Sequence, residues 1–417
     1  MVIKLPQIPQ LNKRSLTFSS DGVAEAAKHI AEQWESLQRF TPEDTGTLIG
    51  LPNPYIVPAV DGGNFTFKEQ YYWDSYFTAI GYRGGDEQTM VEGMLENLVV
   101  LRRRFGMIPN ASRMYFTSRS QPPMLTSYIF HVYDRFEKSR AWLKEYIDEA
   151  KSEYQDVWMS TAHPHWRNID GLSRYYDINA LHDLAEAESG WDMTPRFERN
   201  CLDYYPIDLN ALLYKYENDF ARAAEILGHD DEAGMWIQAA EDRKALVDKL
   251  MWSKTRGMYF DYDFIKKERG ATWSLAAYYA LWSGMASSEQ AAALVKNLSK
   301  FEQAGGLTTT TRPLVDMKNM FGSVKTQWAY PNGWAPLHYL VVEGLERYGH
   351  HERASKVARK WLATNVRWYE KHGVFLEKYN VVNVNKSPLE GVYPSQTGFG
   401  WSNSVFTVFA EKYAQID

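Results

Sequence analysis

The chain has little of what marks secreted, membrane-bound or disulfide-rich proteins. Cys201 is the only cysteine in 417 residues, so no disulfide can form within the chain, and a lone cysteine of this kind is typically a small buried apolar residue. No apolar run approaches the roughly 18 residues that a membrane-spanning helix needs. The N-terminal sequence MVIKLPQIPQLNKRS lacks the apolar core of a signal peptide. We therefore expect a cytoplasmic protein that has no membrane partner.

The chain also lacks the charge pattern and the motifs of several binding functions. Its net charge is -6, and its densest basic run, Arg102-Arg103-Arg104, is too short to grip a phosphate backbone, so we expect no nucleic-acid partner. The histidine pair in His163-Pro164-His165 has no cysteine or carboxylate at the spacing of a zinc site. Glycine-rich stretches contain neither G-x-G-x-x-G nor a P-loop lysine, and no serine occupies a G-x-S-x-G turn. The sequence predicts no metal and no cofactor.

Helical periodicity dominates what the sequence does contain. Apolar residues recur at the spacing of one helix face in residues 23–40 and 86–105, and similar patterns predict about a dozen helices in all. Ser287 followed by Gln290 has the form of a capping box, which marks the start of one of these helices. We therefore expect an all-α fold.

Strand signals and linker signals are both weak. Residues 257–263 are the best strand candidate, as a small hairpin arm between helices. Proline and glycine lie scattered at the joints between helices rather than concentrated in one linker. We expect a single domain over residues 1–417.

Aromatic residues make up 15% of the chain, a high share that fits either a large core or a set of faces on which sugar rings stack. The densest cluster, residues 71–77, surrounds Asp74 with five aromatic side chains. One interpretation is a buried helix start that Asp74 caps. The other is a sugar site, in which Trp73 supplies an apolar platform and Asp74 accepts hydrogen bonds from hydroxyl groups. The cluster alone leaves both interpretations open.

Two further segments combine tight turns with polar or aromatic side chains. Residues 119–123, Arg-Ser-Gln-Pro-Pro, precede a helix, and proline in a first helical turn is ordinary. A purely structural role explains Arg119 and Gln121 less well, since a guanidinium group and an amide are suited to binding hydroxyl or carboxylate groups. Residues 327–336 place two tryptophans at a turn, as either a packed corner or a sugar-binding wall. Because function concentrates on loops held by a rigid scaffold, we expect these loops to share one rim.

Two acidic residues lie in segments crowded with glycine and aromatic residues. Asp192 ends the segment Glu-Ser-Gly-Trp-Asp at residues 188–192, and Glu390 shortly precedes Tyr-Pro-Ser-Gln-Thr-Gly-Phe-Gly-Trp at residues 393–401. Cleavage of a glycosidic bond needs a pair of carboxyl groups that folding brings together. The two segments therefore indicate a glycoside hydrolase that acts on a small-molecule sugar.

Together these motifs resemble the trehalase family of inverting α-glycosidases, which fold as an (α/α)6 barrel. Five segments match the family's blocks in the family's order: residues 62–77, 119–123, 188–192, 327–336 and 398–403. A single block of this kind is a weak signal, but five in order are specific. The resemblance implies a barrel of six inner and six outer helices, which agrees with the dozen helices indicated by periodicity.

The resemblance also implies roles for individual residues. Asp192 takes the position of the general acid, and Trp73, Asp74, Asn110 and Arg119 match positions that line the sugar pocket. The expected substrate-binding residues are Tyr72, Trp73, Asp74, Asn110, Arg119, Gln121, Gly190, Trp328, Trp334, Gln396 and Trp401.

The general base is not matched directly. The family carries Glu immediately before the tyrosine of the last block, where this chain has Val392 before Tyr393. We expect Glu390 to be the base, displaced by a small loop insertion. Glu377, in the segment Phe-Leu-Glu-Lys-Tyr at residues 375–379, is the second candidate for the base, although its own match to the family points to a structural role.

Two departures from the family bear on the substrate. Residues 63–65 read Gly-Asn-Phe where the family has an arginine after two glycines, and no Arg-Pro-Glu segment precedes Glu188. The sequence predicts inverting hydrolysis of an α-glycosidic bond in a small sugar, with trehalose as the best match. One alternative is another α-glucoside or α-mannoside, such as glucosylglycerate or mannosylglycerate, whose charged aglycone would meet Arg119 or Arg174. Another is a sugar-binding protein of the same fold that has lost catalysis. The oligomeric state stays open.

Overall fold

The structure, a computed structural model of the chain, describes residues 16–59, 66–311, 317–319, 322–324, 326–391 and 394–414. The beginning of the first family block, at residues 62–65, and Val392 and Tyr393 lie outside these ranges. The described residues form thirteen α-helices: α1 Ser20–Leu37, α2 Tyr72–Ala79, α3 Glu87–Phe105, α4 Leu125–Arg135, α5 Arg140–Glu153, α6 His182–Glu188, α7 Ile207–Leu227, α8 Asp230–Leu250, α9 Tyr279–Trp282, α10 Ser288–Asn297, α11 Ala335–Arg347, α12 His351–His372 and α13 Gly400–Tyr413.

Local sequence signals set several helix boundaries. The capping box predicted at Ser287 is confirmed, because its hydroxyl accepts from the amide of Gln290 while the Gln290 side chain accepts from the amide of Ser287. The helix predicted over residues 86–105 is α3, and Asp86 caps it by accepting a backbone amide hydrogen bond at 3.1 Å. Gly106 ends this helix in the left-handed conformation, with φ +75°.

Six of the helices form a closed inner ring. α2 packs on α4, α4 on α7, α7 on α9, α9 on α11, α11 on α13, and α13 on α2. Six others, α1, α3, α5, α8, α10 and α12, form the outer layer, so inner and outer helices alternate along the chain. The short α6 lies in the connection between α5 and α7. This arrangement is the (α/α)6 barrel that the resemblance implies.

Inner and outer helices differ in how they are buried. All residues of α2 are buried, as befits a helix enclosed by neighbours on every side. On α12 the buried residues recur at the spacing of one face, for example Val357, Ala358, Trp361 and Leu362. Cys201 is buried, as expected. Within the described ranges, every helix is too short or too polar to cross a bilayer.

Strands are short and lie in the connections between helices. Residues 257–263, predicted as one hairpin arm, hold two short strands, each an arm of a different antiparallel pair. The strands among the described residues are β1 Gln38–Arg39, β2 Tyr55–Ile56, β3 Asn168–Ile169, β4 Leu172–Ser173, β5 Tyr204–Tyr205, β6 Trp252–Ser253, β7 Met258–Tyr259, β8 Tyr262–Asp263, β9 Glu268–Arg269, β10 Glu302–Gln303, β11 Gly306–Leu307, β12 Met317–Asn319, β13 Gly322–Val324, β14 Asn332–Trp334 and β15 Lys378–Asn380. β14 and β15 pair antiparallel, with Trp334 opposite Lys378.

Candidate active site

A cavity of about 460 Å³ opens at the end of the barrel where the inner helices begin. Trp73 and Asp74 lie in the first turn of α2, and Trp401 lies in the first turn of α13. The size is within the range of small-molecule sites in proteins. The described residues that line the cavity are Pro58, Phe67, Tyr71, Trp73, Asp74, Asn110, Phe116, Arg119, Gln121, Ala187, Gly190, Asp192, Trp328, Glu377, Pro394, Phe399 and Trp401.

Three carboxyl groups, those of Asp74, Asp192 and Glu377, face this cavity. Burial, aided by the nearby charge of Glu377, raises the pKa of Asp192 to about 7. Burial likewise raises the pKa of Asp74 to about 8, with smaller contributions from the charges of Glu377 and Asp192. Near neutral pH both aspartates therefore retain protons to a large extent, which suits Asp192 to donating one.

Glu377 is fixed from several directions. Its amide donates to the carbonyl of Gln396 at 3.0 Å, and its own carbonyl accepts from Nε1 of Trp401 at 3.1 Å. Its carboxylate Oε2 lies 2.7 Å from Nζ of Lys378, and both of these side chains are fully buried. The carboxylate of Glu377 is therefore paired with a cation inside the wall of the cavity.

The structure does not bring Glu390 to the cavity, which corrects the expectation that this residue faces Asp192. The side chain of Glu390 is exposed, and the residue is not part of the lining. The preceding Leu389 is tied through its amide and its carbonyl to the side chain of Asn332. Residues 385–387 and 389–390 are exposed, whereas the amide of Glu377 bonds to the carbonyl of Gln396 within the last block, so the acid nearest to that block in sequence is not the one that the structure brings to it.

Indole rings form one wall of the cavity and its support. The ring centroid of Trp328 lies 5.7 Å from that of Trp73 and 5.4 Å from that of Trp191. Trp334 stacks face to face on Trp328, with centroids 3.7 Å apart and planes 2° from parallel. Trp73, Trp328 and Trp401 line the cavity, whereas Trp334 backs this wall and is fully buried. The segment is therefore a packed corner, and its Trp328 is also part of the cavity wall.

Polar residues from the loop before α4 reach the same cavity. Asn110, Arg119 and Gln121 all line it. Gln121 accepts a hydrogen bond from the backbone amide of Trp73 at 3.0 Å, which ties this loop to the first turn of α2. The guanidinium of Arg119 lies 3.5 Å from Asp177, while its buried Nε has no hydrogen-bond partner among the described residues. An unpaired buried donor at a cavity wall is well placed to meet a ligand hydroxyl.

Two other expected substrate-binding residues, Tyr72 and Gln396, lie outside the cavity lining. The hydroxyl of Tyr72 donates to the buried Glu153, the last residue of the outer helix α5. The side chain of Gln396 donates to the carbonyl of Pro394. Tyr71, which is not among the residues predicted from the sequence, lines the cavity instead of Tyr72. Successive residues at a helix start point in directions about 100° apart, and at this helix start Tyr71, Trp73 and Asp74 face the cavity while Tyr72 points away from it.

Three phenylalanines of the lining are likewise not among the residues predicted from the sequence. The rings of Phe116, Tyr71, Phe67 and Phe399 follow one another along the wall, with successive centroids 5.8, 5.6 and 6.1 Å apart. They form an aromatic arc beside the carboxyl groups. Phe399 lies inside the last family block and Phe67 inside the first, but an aromatic residue in such a block cannot be told from a core residue by sequence alone.

Hydrogen bonds to a buried carboxylate hold the segment that carries Asp192. Glu188 accepts from the amides of Ser120 and Tyr176, both at 2.7 Å, and forms an ion pair with Arg167. These contacts join three loops at one carboxylate. The glutamate of the segment is therefore a structural residue.

A second buried ion cluster lies next to the segment that carries Asp192. The guanidinium of Arg196 makes paired hydrogen bonds to Asp208, at 2.6 and 2.9 Å, and to Asp261, at 2.8 and 3.0 Å. It also lies 4.5 Å from the ring centroid of Trp191, next to Asp192 in the chain. Because these groups are buried, the cluster fixes the position of the loop on which Asp192 depends.

The closed ring of paired helices defines an (α/α)6 barrel, and the three carboxyl groups in the cavity at its N-terminal end include the pair that glycosidic bond cleavage needs. Comparison with protein families agrees. The trehalase family model matches residues 7–189 and 177–414. The chain belongs to the trehalase family.

Individual relatives support the same assignment. The cytosolic neutral trehalase of Neurospora crassa is 32% identical over 453 residues, which cover 89% of this chain and 60% of the relative. This chain therefore spans about 60% of the length of that protein. Neutral trehalase Nth1 from Saccharomyces cerevisiae matches with a TM-score of 0.74 at 30% identity, over 92% of this chain and 79% of that one.

A solved structure from another family shares the fold alone. The GH63 mannosylglycerate hydrolase from Thermus thermophilus, in complex with glucose, matches with a TM-score of 0.66 at 17% identity, over 92% of this chain and 99% of that one. Together with the Saccharomyces cerevisiae enzyme, this match confirms the predicted all-α (α/α)6 barrel.

Proposed function

We propose that the chain hydrolyses trehalose to glucose with inversion at the anomeric carbon. The observation that carries the proposal is the cavity shared by Asp192 and Glu377, where a carboxyl group of raised pKa and a carboxylate beside a buried ammonium group face the same space. Membership of the trehalase family supports the same activity. One protonated and one ionised carboxyl group are what an inverting glycosidase needs.

In the proposed mechanism Asp192 is the general acid and Glu377, rather than the exposed Glu390, is the general base. Glu377 takes a proton from a water molecule while the water oxygen attacks the anomeric carbon on the face opposite the leaving group. Asp192 gives its proton to the glycosidic oxygen as the bond between that oxygen and the anomeric carbon breaks. One water molecule is consumed and two glucose molecules form. Inverting enzymes hold the two carboxyl groups about 6.5 to 9.5 Å apart, which leaves room for this water.

The remaining lining residues would bind the sugar rings. Trp73 and Trp328 offer apolar faces, and Asp74 and Nε of Arg119 offer polar groups to hydroxyls. We propose that Asn110, Gln121, Gly190 and Trp401 complete this binding wall. We also propose that Tyr72, Trp334 and Gln396 support the wall from behind, since none of the three lines the cavity.

The charges around the cavity favour a neutral sugar over a glycoside with a charged aglycone. Arg119 is the only basic residue among the described lining residues, and Asp177 offsets its charge. Arg174 does not line the cavity: its guanidinium lies between the rings of Trp166 and Tyr176 and donates to a backbone carbonyl. The described lining therefore offers a glycerate carboxylate no cation other than Arg119, which is already paired with Asp177. The relatives are named trehalases, and trehalose carries no charge, so their names fit this preference.

Proton NMR of the first products tests the activity and the stereochemistry together. Both anomeric carbons of trehalose have the α configuration, so inversion releases one α-glucose and one β-glucose, whereas retention releases two α-glucose molecules. We expect both anomers in equal amounts before mutarotation. Faster cleavage of glucosylglycerate or mannosylglycerate would contradict the choice of substrate. Trehalose binding in a calorimeter without cleavage would identify a sugar-binding protein that has lost catalysis.

We further propose that residues 1–417 act as one catalytic domain in the cytoplasm. The closed ring of inner helices, which runs from α2 to α13, supports the single domain. The name of the cytosolic relative supports the location. Limited proteolysis that releases two separately folded fragments would contradict the single domain.

A further inference from the structure

Lys378, the first residue of β15, is a fully buried lysine beside the proposed base. Its Nζ lies 2.7 Å from Oε2 of Glu377 and 5.0 Å from the ring centroid of Trp334. Lysine is almost never fully buried unless its charge is paired. The lysine side chain is 0% exposed, and so is that of Glu377, so the two charges meet out of contact with bulk water.

The position of Lys378 is set by the tryptophan pair. The antiparallel register places Lys378 directly opposite Trp334. Trp334 is held in turn by its face-to-face stack on Trp328. The ammonium group over the Trp334 ring therefore has little freedom to leave the carboxylate of Glu377.

The acidic groups of the cavity act on one another. Asp74, Asp192 and Glu377 face one buried space, and the charge of Glu377 contributes to the raised pKa values of both aspartates. Arg119 and Lys378 are the cations that act on Asp192. Among the three carboxyl groups, Glu377 is the one with an ammonium group at hydrogen-bond distance. One buried cation is thus paired directly with one of the three carboxyl groups.

We infer that Lys378 is a positioning residue that assigns the negative charge of the cavity to Glu377, so that Glu377 acts as the base and Asp192 keeps its proton as the acid. This inference rests on the proposed function for its role in catalysis. The lysine touches neither the sugar nor the water in this scheme. It acts through the charge state of its neighbour.

Kinetics of three substitutions at this position test the inference. Lys378→Gln keeps a hydrogen-bond donor without the charge, Lys378→Met removes both, and Lys378→Arg keeps the charge. We expect the first two to lower kcat/KM about 10²-fold or more at pH 7, the scale of a lost general base. The acid limb of their pH–rate profiles should move to higher pH, while Lys378→Arg should recover most of the loss. A Lys378→Gln variant with the wild-type pH profile would overturn the inference.

Lys215→Met is the matched control. Lys215 also lies 2.7 Å from a carboxylate oxygen, that of Asp219, but on α7 and away from the cavity lining. We expect this variant to keep the wild-type pH profile. Thermal unfolding of every variant separates a loss of folding from a loss of charge selection, and Lys378→Gln remains the test if Lys378→Met does not fold.

Infrared spectroscopy gives a readout that does not need turnover. The difference between spectra with and without Glu377→Gln isolates the band of this one carboxyl group. At neutral pH we expect an ionised carboxylate band in the wild-type background and a protonated carboxyl band in the Lys378→Gln background. An ionised band in both backgrounds would overturn the inference. If the wild type cleaves no α-glycoside, the proposed function fails while this spectrum still decides the charge state.

Discussion

Gly190 lies against the indole of Trp73 so closely that a β-carbon at position 190 would be 2.7 Å from Cζ2 of that ring. The backbone φ of Gly190 is +72°, a conformation that other residues rarely adopt. The residue two positions before the proposed acid is therefore in direct contact with the cavity wall. A side chain at this position would push on Trp73 and strain the loop that carries Asp192.

Gly190→Ala should impair both folding and activity for this reason. We expect the free energy of unfolding to fall by about 1 to 3 kcal/mol, the range for backbone strain with steric conflict. kcat/KM should fall by about 10-fold or more, because displacing a positioning group by about 1 Å can cost this much. Gly349→Ala is the control, since Gly349 has φ +77° but nothing within 4 Å of the place that a β-carbon would take. Its loss should be limited to strain, with kcat/KM unchanged.

Removal of the proposed acid or base should abolish most turnover. We expect Asp192→Asn and Glu377→Gln each to lower kcat about 10²- to 10⁴-fold, the usual contribution of a general acid or base. Glu390→Gln, at an exposed position outside the cavity, is the matched control and should stay within about twofold of the wild type. Initial rates on trehalose measure all three. A large loss in the Glu390 variant alone would restore the base assignment made from sequence.

The alkaline limb of the pH–rate profile should report Asp192. Its pKa is raised to about 7 by burial, and an acid must be protonated to donate. kcat/KM should therefore decline as the pH rises through about 7 and beyond. Initial rates at subsaturating trehalose between pH 5 and 9, in buffers of constant ionic strength, measure this limb. A profile that stays flat up to pH 9 would be inconsistent with Asp192 as the acid.

Asp74 should make the fold less stable as the pH rises. Its pKa is raised from 3.8 to about 8, so the folded state holds the proton more tightly than the unfolded chain. The resulting stabilisation is fully present below about pH 4 and is lost as the pH rises through about 8. Asp74→Asn should therefore raise the melting temperature, relative to wild type, more at pH 9 than at pH 4. The upper limit is on the order of 1 kcal/mol per unit of pKa difference.

Asp86→Asn is the control for this titration. Hydrogen bonds from Thr89 lower the pKa of Asp86, and the residue lies at the exposed start of α3. Asparagine also caps helices well. The gain in melting temperature seen for Asp74→Asn at pH 9 should be absent in this variant. An equal gain in both would point to net charge rather than to the buried carboxyl group.

Arg196→Met should be among the most destabilising single changes near the site. It leaves Asp208 and Asp261 buried without their shared cation, a situation that costs about 3 to 5 kcal/mol. Arg222→Met, which breaks an exposed pair with Asp134, should cost about 1 kcal/mol or less. Urea unfolding midpoints compare the two. Similar losses would mean that the cluster under Trp191 adds little to stability.

Sequence patterns predict those features of the fold that depend on contacts between near neighbours in the chain. The capping box at Ser287 and Gln290 is a contact between near neighbours, and the dozen helices follow from apolar spacing. The ring itself depends on α13 meeting α2, a pairing of distant segments that periodicity does not encode. The family resemblance supplied that part of the prediction.

The sequence predicts the site less completely than the fold. Which side chains face the cavity depends on their direction at a helix start and on contacts between segments that are distant in the chain. Tyr71 and Tyr72 are adjacent, and only the course of the helix start decides which one faces the cavity. The sequence favours Glu390 over Glu377 because the last block begins closer to Glu390 along the chain. The hydrogen bond between the amide of Glu377 and the carbonyl of Gln396 brings the earlier acid to that block in space. No spacing rule along the chain reveals such a contact.

The docking of α13 on α2 has a consequence for how the protein comes into being. Trp401, at the start of α13, holds the carbonyl of Glu377, and Ser404 donates to the carbonyl of Thr78 on α2 at 2.6 Å. A nascent or clipped chain without this helix has neither a closed ring nor an anchored base. During refolding, activity should consequently return late, after most of the helical circular dichroism signal. Recovery of activity would then report that α13 has closed the ring.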